Sequence, residues 1–423
     1  MSKILLKNGR IIDPETKRDE VTDILIENDK IAKIGQIEAE DGMNVNDMTG
    51  KLIIPGLVDM HVHLRDMEQS DKETIETGTK AARKGGVTTV FCMPNTVPEL
   101  DSVEAINKYL ELIKNARVDV HIVGAITHRL KGDRLAEIDA YPDFGIKFIT
   151  DDGFDVDDEK ILEKAYHKAK GLGLIVMTHS EMINIAPDGV VNEGKINEQL
   201  NVPGQPNEKE WKAVERGIRI ATKAGARAHF THLSTKESVD LIRKAKKESD
   251  LITADATPHH FSLTENEVLK SGSQAKVNPP LRTEEDRMAI INGLKDGTLD
   301  YIVTDHAPHA DKDKTDDLIT SAFGFSELEI SLPASITELH FNQRMDLMDV
   351  ISLMTIKPAK LVNSPVGRLQ EGFPADITIV DLETEKAVDS SQFVSKGKNT
   401  PFNGKTLKGW PVMTITKGMI FKS

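Results

Sequence analysis

The sequence predicts a TIM-like (β/α)8 barrel with a small β-sandwich module formed from both chain termini. Three observations predict it. Eight short apolar, strand-like runs lie between residues 52 and 304, amphipathic helical stretches follow most of them, and hairpin-rich segments occupy the two ends. At 423 residues the chain exceeds one small core and suits a large barrel with an appended module.

The elements follow in order. Near the start, Ile4-Leu5-Leu6-Lys7, Gly9-Arg10-Ile11-Ile12, Asp23-Ile24-Leu25-Ile26 and Lys30-Ile31-Ala32-Lys33-Ile34 are separated by Asn-Gly and Asn-Asp pairs that favour tight hairpins. Near the end, Ile377-Thr378-Ile379-Val380 and Met413-Thr414-Ile415-Thr416 repeat the pattern. Neither piece has enough apolar surface to stand alone. They are therefore expected to join as one module, residues 1–54 with 364–423, around a catalytic barrel over 55–363. The barrel strands are predicted at 52–60, 87–93, 118–125, 145–150, 174–178, 228–231, 251–254 and 301–304. Helices with i, i+3, i+4 apolar spacing are predicted at 74–84, 103–115, 159–170, 210–224, 236–248 and 284–294. An open doubly wound sheet is the competing fold; the count of eight units decides against it.

Composition narrows the function. The apolar fraction of 39% and charged fraction of 29% are those of a globular protein in water. No apolar run approaches the roughly 20 residues that span a bilayer, and the first residues lack a signal-peptide core, so a cytoplasmic protein without a membrane partner is expected. The single cysteine, Cys92, cannot form an internal disulfide, which fits a reducing compartment. A formal charge of −14 argues against nucleic acid as a partner.

The chemistry is written at the strand ends, where such barrels place their active sites. Strand one ends in His61-Val62-His63-Leu64-Arg65. Residues i and i+2 of a strand share a face, so the two imidazoles aim at one point and Arg65 continues on that side. Strand two ends in Met93-Pro94-Asn95-Thr96, strand four in Thr150-Asp151-Asp152-Gly153, and strand five in Thr178-His179-Ser180. Strand six ends in Thr231-His232-Leu233, and strand eight in Thr304-Asp305-His306-Ala307-Pro308-His309. Each of these residues alone has a bland reading as a core histidine, loop cap or turn residue. Their coincidence at one end of several strands does not. Imidazoles and carboxylates in this number exceed one tetrahedral zinc and suit two metals with a bridging carboxylate. The other histidines are read as structural, with His259 and His260 the exceptions to watch because they end strand seven.

At this point the chain resembles the bacterial type I dihydroorotases of the amidohydrolase superfamily. The resemblance rests on Pro55-Gly56-Leu57-Val58-Asp59-Met60-His61-Val62-His63-Leu64-Arg65, Met93-Pro94-Asn95-Thr96, Thr150-Asp151-Asp152-Gly153, His232-Leu233-Ser234-Thr235-Lys236, Asn278-Pro279-Pro280-Leu281-Arg282 and Asp305-His306-Ala307-Pro308-His309. It implies a metal-dependent barrel that interconverts N-carbamoyl-aspartate and dihydroorotate in pyrimidine synthesis. It also implies two zinc ions per subunit, with His61, His63 and Asp305 on one, His179 and His232 on the other, and Asp152 between them. Arg65, Asn95, Asn278 and His309 would hold substrate together with His63, Phe323 and Gly324 would add backbone contacts, and Asp305 would shuttle the proton. A homodimer, and association with aspartate transcarbamoylase, are family expectations too.

The chain also departs from that pattern. Asp66-Met67-Glu68 stands where many relatives read Glu-Pro-Gly, and Ser180-Glu181-Met182 replaces Cys-Glu-Asp after His179. In other members a carboxylated lysine bridges the metals, and Lys147 lies near that point; Asp152 is the preferred bridge. The polar segment 310–317 is expected to be a mobile lid over substrate. The competing functions are a hydantoinase, dihydropyrimidinase or allantoinase, whose substrates lack the ring carboxylate that Arg65 suits, and a non-catalytic assembly partner, which would be expected to have lost metal ligands.

Overall fold

The computed structural model describes residues 3–422. Its centre is a closed ring of eight parallel strands in chain order. Leu57–Val62, Val87–Cys92 and Asp119–Ile122 pair in one run, and Gly124–Ala125, Phe148–Thr150, Ile175–Thr178, Ala228–Phe230, Ile252–Ala256 and Tyr301–Ile302 pair in a second. The two runs are continuous through the third strand, where only Val123 separates Ile122 from Gly124. The ring closes between strands eight and one, where Val62 bridges His306. The predicted barrel is thus the observed one.

Helices cover the outside of the ring at Ile75–Lys84, Val103–Ile113, Glu159–Leu172, Glu208–Ala224, Lys236–Lys246 and Glu284–Asp296. Most start on a side chain that accepts from the first-turn amides: Thr74, Ser102, Asp158, Thr235 and Thr283. Their apolar faces meet the outward side chains of the strands in one continuous core that includes Leu57, Val90, Ile149, Val176 and Phe230. The inward side chains form a separate core of Val58, Met60, Phe91, Phe148, Met177, Tyr301 and Val303, closed at its base by Ala359 and Val366. This floor leaves the opposite, C-terminal end of the ring for chemistry. Among the described residues no helix is long and apolar enough to cross a membrane.

Both chain ends meet in one eight-stranded sheet. Its order runs Met419–Lys422, Trp410–Thr416, Ile377–Asp381, Leu52–Pro55, Lys3–Asp13, Arg18–Glu27 and Lys30–Gly35, with Asn44–Asp47 also paired to Lys3–Asp13. Side chains from strands far apart in that order share one core, among them Ile31, Ile4, Ile53, Ile379 and Ile415, so the sheet curls around them. One expected element divides. The run 52–60 is two strands: Leu52–Pro55 belongs to this sheet, and Leu57–Val62 opens the barrel. Pro55 has no amide hydrogen to continue a ladder, and a side chain at Gly56 would strike Thr88 at 2.3 Å, so the chain turns there from one layer into the other.

Candidate active site

The C-terminal rim of the ring bends the backbone to gather its ligands. The pairing of strands one and two slips between Asp59 and Val62, a bulge that lets Met60 join the inner core while His61 still faces the mouth. His232 and Asp305 sit at φ +42° and +51°, left-handed conformations that side chains other than glycine adopt at a cost. Arg65, Asp66 and Met67 form a left-handed run at +53°, +62° and +47°. Strain of this kind concentrates where position matters more than stability.

His61, His63, Asp152, His179, His232 and Asp305 are all buried. Their donor atoms form two groups that share Asp152: His61 and His63 on one side, His179 and His232 on the other. Asp152 Oδ1 lies 3.2 Å from His61 Nε2, 3.6 Å from His179 Nδ1 and 3.6 Å from His232 Nε2, while Oδ2 lies 3.4 Å from His63 Nε2. Asp305 Oδ1 is 2.9 Å from His63 Nε2 and 3.5 Å from His61 Nε2, on the first group's side. Lys147 is exposed at the opposite end of strand four, so Asp152 is the group within reach of both histidine pairs.

These donors fit metal ions. His61 Nε2 and Asp152 Oδ1 are fully enclosed and face each other without a hydrogen bond. His179 Nδ1 and His232 Nε2 lie 3.1 Å apart, within hydrogen-bond distance of each other and near enough for both nitrogens to serve one tetrahedral ion. The charge balance agrees. Burial opposes the imidazolium forms, yet Asp152 raises His61 to about 9, and Asp152 with Glu181 raises His179 to about 10. Burial likewise opposes the carboxylate of Asp305, but the hydrogen bond from His63 and the charge of His61 hold it well below the usual carboxylate range.

A further layer of residues, not singled out in the sequence, orients the ligands. Glu181 accepts from His179 Nε2 at 3.1 Å and is itself held by Lys209 Nζ at 2.7 Å, which leaves Nδ1 for the metal side. Asp255 accepts from the His232 amide at 2.5 Å and from Thr231 Oγ1, which contacts His61 Nδ1 at 2.9 Å. Asp59 accepts from the Thr304 amide and hydroxyl and from the His61 amide, tying strand eight to strand one; burial pushes its carboxyl up to about 6. The i, i+2 alternation from His179 to Glu181 is the same signal that exposed His61 and His63. Asp255 carried no such mark. His259 and His260 prove to be packed residues, bonded to Glu327 and to the Pro279 carbonyl.

Beside the donors opens a cavity of about 140 Å³, lined by Arg65, Asn95, Gly153, Asn278, Phe323 and Gly324 as well as every ligand but His61. Arg65 is 8% exposed, its Nε has no hydrogen-bond partner, and it makes no ion pair among the described residues. An enclosed guanidinium without a partner is costly unless an anion completes it. Asn95 meets His63 Nδ1 at 2.8 Å and donates to the Asp152 carbonyl, and Asn278 donates to Glu181 at 2.8 Å. Both therefore hold ligands as well as facing the cavity. His309 does not line it. Its Nε2 donates to the Phe323 carbonyl at 2.7 Å, and burial beside Arg65 lowers its pKa to about 2, so it stays neutral. The 310–317 segment, expected to be a mobile lid, is tied down: Lys314 is buried and bonds to three carbonyls.

With this geometry in view, the chain can be compared with known proteins. Residues 52–420 match the family described as the Amidohydrolase family. A dihydroorotase of Anaplasma phagocytophilum (strain HZ) is 41% identical over 421 residues, covering 97% of this chain and 93% of the relative. A dihydroorotase of Clostridioides difficile (strain 630) is 42% identical over 418 residues and covers 99% of each. Among solved structures, L-hydantoinase (dihydropyrimidinase) from Arthrobacter aurescens has a TM-score of 0.89 at 26% identity, covering 100% of this chain and 96% of that one. Dihydropyrimidinase from Brevibacillus agri NCHU1002 has a TM-score of 0.87 at 22% identity, covering 99% and 94%; that likeness speaks for the fold alone.

Proposed function

The chain belongs to the amidohydrolase family, and from that premise we infer that it is a dihydroorotase, a hydrolase of cyclic amides that interconverts L-dihydroorotate and N-carbamoyl-L-aspartate in pyrimidine biosynthesis. The observation that carries this reading is Arg65: a buried, unpaired guanidinium opening into the same small cavity as the metal-binding groups. It selects a cyclic amide that also bears a carboxylate, because a guanidinium binds a carboxylate through two parallel hydrogen bonds.

His61, His63 and Asp305 would hold one metal and His179 and His232 the other, with Asp152 between them; we propose zinc in both positions. Metal bound there supplies Lewis acidity, lowering the pKa of a water and polarising a carbonyl. The protein's own residues do the rest. Arg65 fixes the substrate carboxylate, which sets the ring carbonyl toward the ligand cluster. Asn278 and Phe323 border the ring. Asp305 is ionised and takes the proton of the water whose oxygen bonds to the ring carbonyl carbon. As the ring C–N bond breaks, Asp305 returns that proton to the departing nitrogen. In the reverse direction the same carboxylate removes a proton from the attacking nitrogen, and water leaves.

The alternative, a hydantoinase or dihydropyrimidinase, draws on the structural likeness, but a substrate without a ring carboxylate leaves Arg65 unsatisfied. Turnover of dihydroorotate, hydantoin and allantoin by the zinc-loaded protein separates the readings. Dihydroorotate is expected to be preferred by several orders of magnitude, and absence of its turnover would sink the proposal.

A further inference from the structure

We propose that Lys314 is a positioning residue for this reaction, its ammonium gathering loop carbonyls so that the Ala322–Phe323 peptide is held against the cavity with its N–H left for substrate. The inference rests on the dihydroorotase reading for the identity of that substrate. Lys314 Nζ donates to the carbonyls of Ala322 at 2.9 Å, Gly324 at 3.0 Å and Lys276 at 3.4 Å. Lys276 repeats the device: its Nζ donates to Ile319 at 3.1 Å and Ser321 at 2.7 Å, and lies 4.2 Å from the centre of the Phe323 ring. Both lysines are buried, at 8% and 2% exposure, and neither makes an ion pair among the described residues. Enclosing two cations without a counter-ion is unfavourable, and a surface loop would satisfy its carbonyls with water at no such cost. What the arrangement secures is the orientation of one peptide.

The backbone that follows this N–H is almost fully committed. The Phe323 carbonyl accepts from His309 at 2.7 Å, the Gly324 amide donates to the Lys276 carbonyl at 2.9 Å, and the Gly324 carbonyl accepts from Asn399 at 3.1 Å as well as from Lys314. Gly324 sits at φ +105° with Ala307 only 2.6 Å from where a side chain would begin, so the chain cannot shift inward. The Phe323 N–H alone has no partner among these bonds. With Phe323 lining the cavity, it is the donor available to an oxygen of the substrate.

The clamp depends on a proton. The charged group that acts on Lys314 is Lys276, from the segment after strand seven; His309 feels Lys314 together with Arg65 and Lys72, Asp313 of the same loop pairs with Lys72, and Asp317 acts on Lys276. Burial, with Lys276 adding to it, lowers Lys314 to about 7, so the ammonium and its grip are lost as pH rises through that value.

The test uses the full-length, metal-loaded enzyme. In the unaltered protein, KM for dihydroorotate is expected to rise between pH about 6 and 9 while kcat follows a separate profile, and amide exchange of residues 315–324, corrected for intrinsic rates, is expected to quicken over the same range. In Lys314→Met, KM should be about tenfold higher at low pH and flat across that range, with kcat nearly unchanged. Lys314→Cys aminoethylated to a lysine analogue should restore both; Cys92 is buried and does not compete. A Lys314→Met protein with the original KM, pH profile and exchange rates would overturn the proposal. Should that variant not fold, exchange in the unaltered loop that stays constant with pH overturns it equally. Exchange needs no substrate, so failure of the dihydroorotase reading and failure of the clamp remain distinguishable.

Discussion

In the terminal sheet, Ile4, Leu6, Ile24, Ile26, Ile53, Ile377 and Ile379 are buried in a wholly apolar core, and period-2 alternation of the strands puts them there. At the barrel mouth His61, His63, Asp152, His179, His232 and Asp305 are buried almost as completely, yet every one is ionisable. The sheet gains stability from each residue it encloses, by roughly 25 cal/mol per Å² of apolar surface. The mouth gains none of that. It holds left-handed backbone at Arg65, His232 and Asp305 and leaves His61 Nε2, Asp152 Oδ1 and Arg65 Nε without partners. The difference teaches where each region can be altered: the sheet through packing, the mouth through charge.

Exchanging the two kinds of perturbation should break or sharpen that contrast. The largest effect is expected from Asp305→Asn, which keeps the shape and removes the proton acceptor. kcat should fall by about a thousandfold or more in steady-state assays, with the urea midpoint unchanged or raised. Next, Ile53→Ala empties the centre of the sheet. Stability should fall by about 2–5 kcal/mol in urea titration, while kcat/KM per folded molecule stays at the original value; a comparable loss of kcat/KM would show that the two regions are coupled.

A smaller change is expected for Arg65→Met. KM for dihydroorotate should rise about a hundredfold, measured against a hydantoin for which KM barely moves. An equal rise for both substrates would deny Arg65 its selective role. The smallest effect concerns Asp376, buried in the sheet and pushed up to about 6 by that burial. The folded state holds this proton more tightly than the unfolded one. The associated stability is therefore complete below the unfolded value near 4 and lost as pH rises through about 6, a difference of roughly 2–3 kcal/mol. Asp376→Asn should melt higher than the original above that range and converge with it at low pH.

Much of this was legible along the chain. His61 and His63 share a face because a strand alternates, and the histidines and aspartates at the ends of strands four, five, six and eight could be gathered by counting eight units. Glu181 could have been found by the same alternation from His179. Asp255 and Asp59 could not, because a carboxylate inside an apolar strand reads as an anomaly until its partners Thr231, His232 and Thr304 are brought beside it. The loop after strand eight departs from its reading at one residue, Lys314, for a related reason. Its run of lysines and aspartates reads as solvated, and only the fold turns Lys314 inward onto carbonyls from 276, 322 and 324.

By itself, the order of residues determined the barrel, the module made from both ends, and the set of groups that meet at the mouth. These depend on periodicity and on strand polarity, which are local. Tertiary structure alone decided that Asp152 and not Lys147 faces both histidine pairs, that His309 stands behind the Phe323 carbonyl, and that the chain passes from sheet to barrel at Pro55 and Gly56. Each of those outcomes turns on a bulge, a left-handed residue or a distant partner. Such features cost free energy locally and persist only because the surrounding fold compensates them.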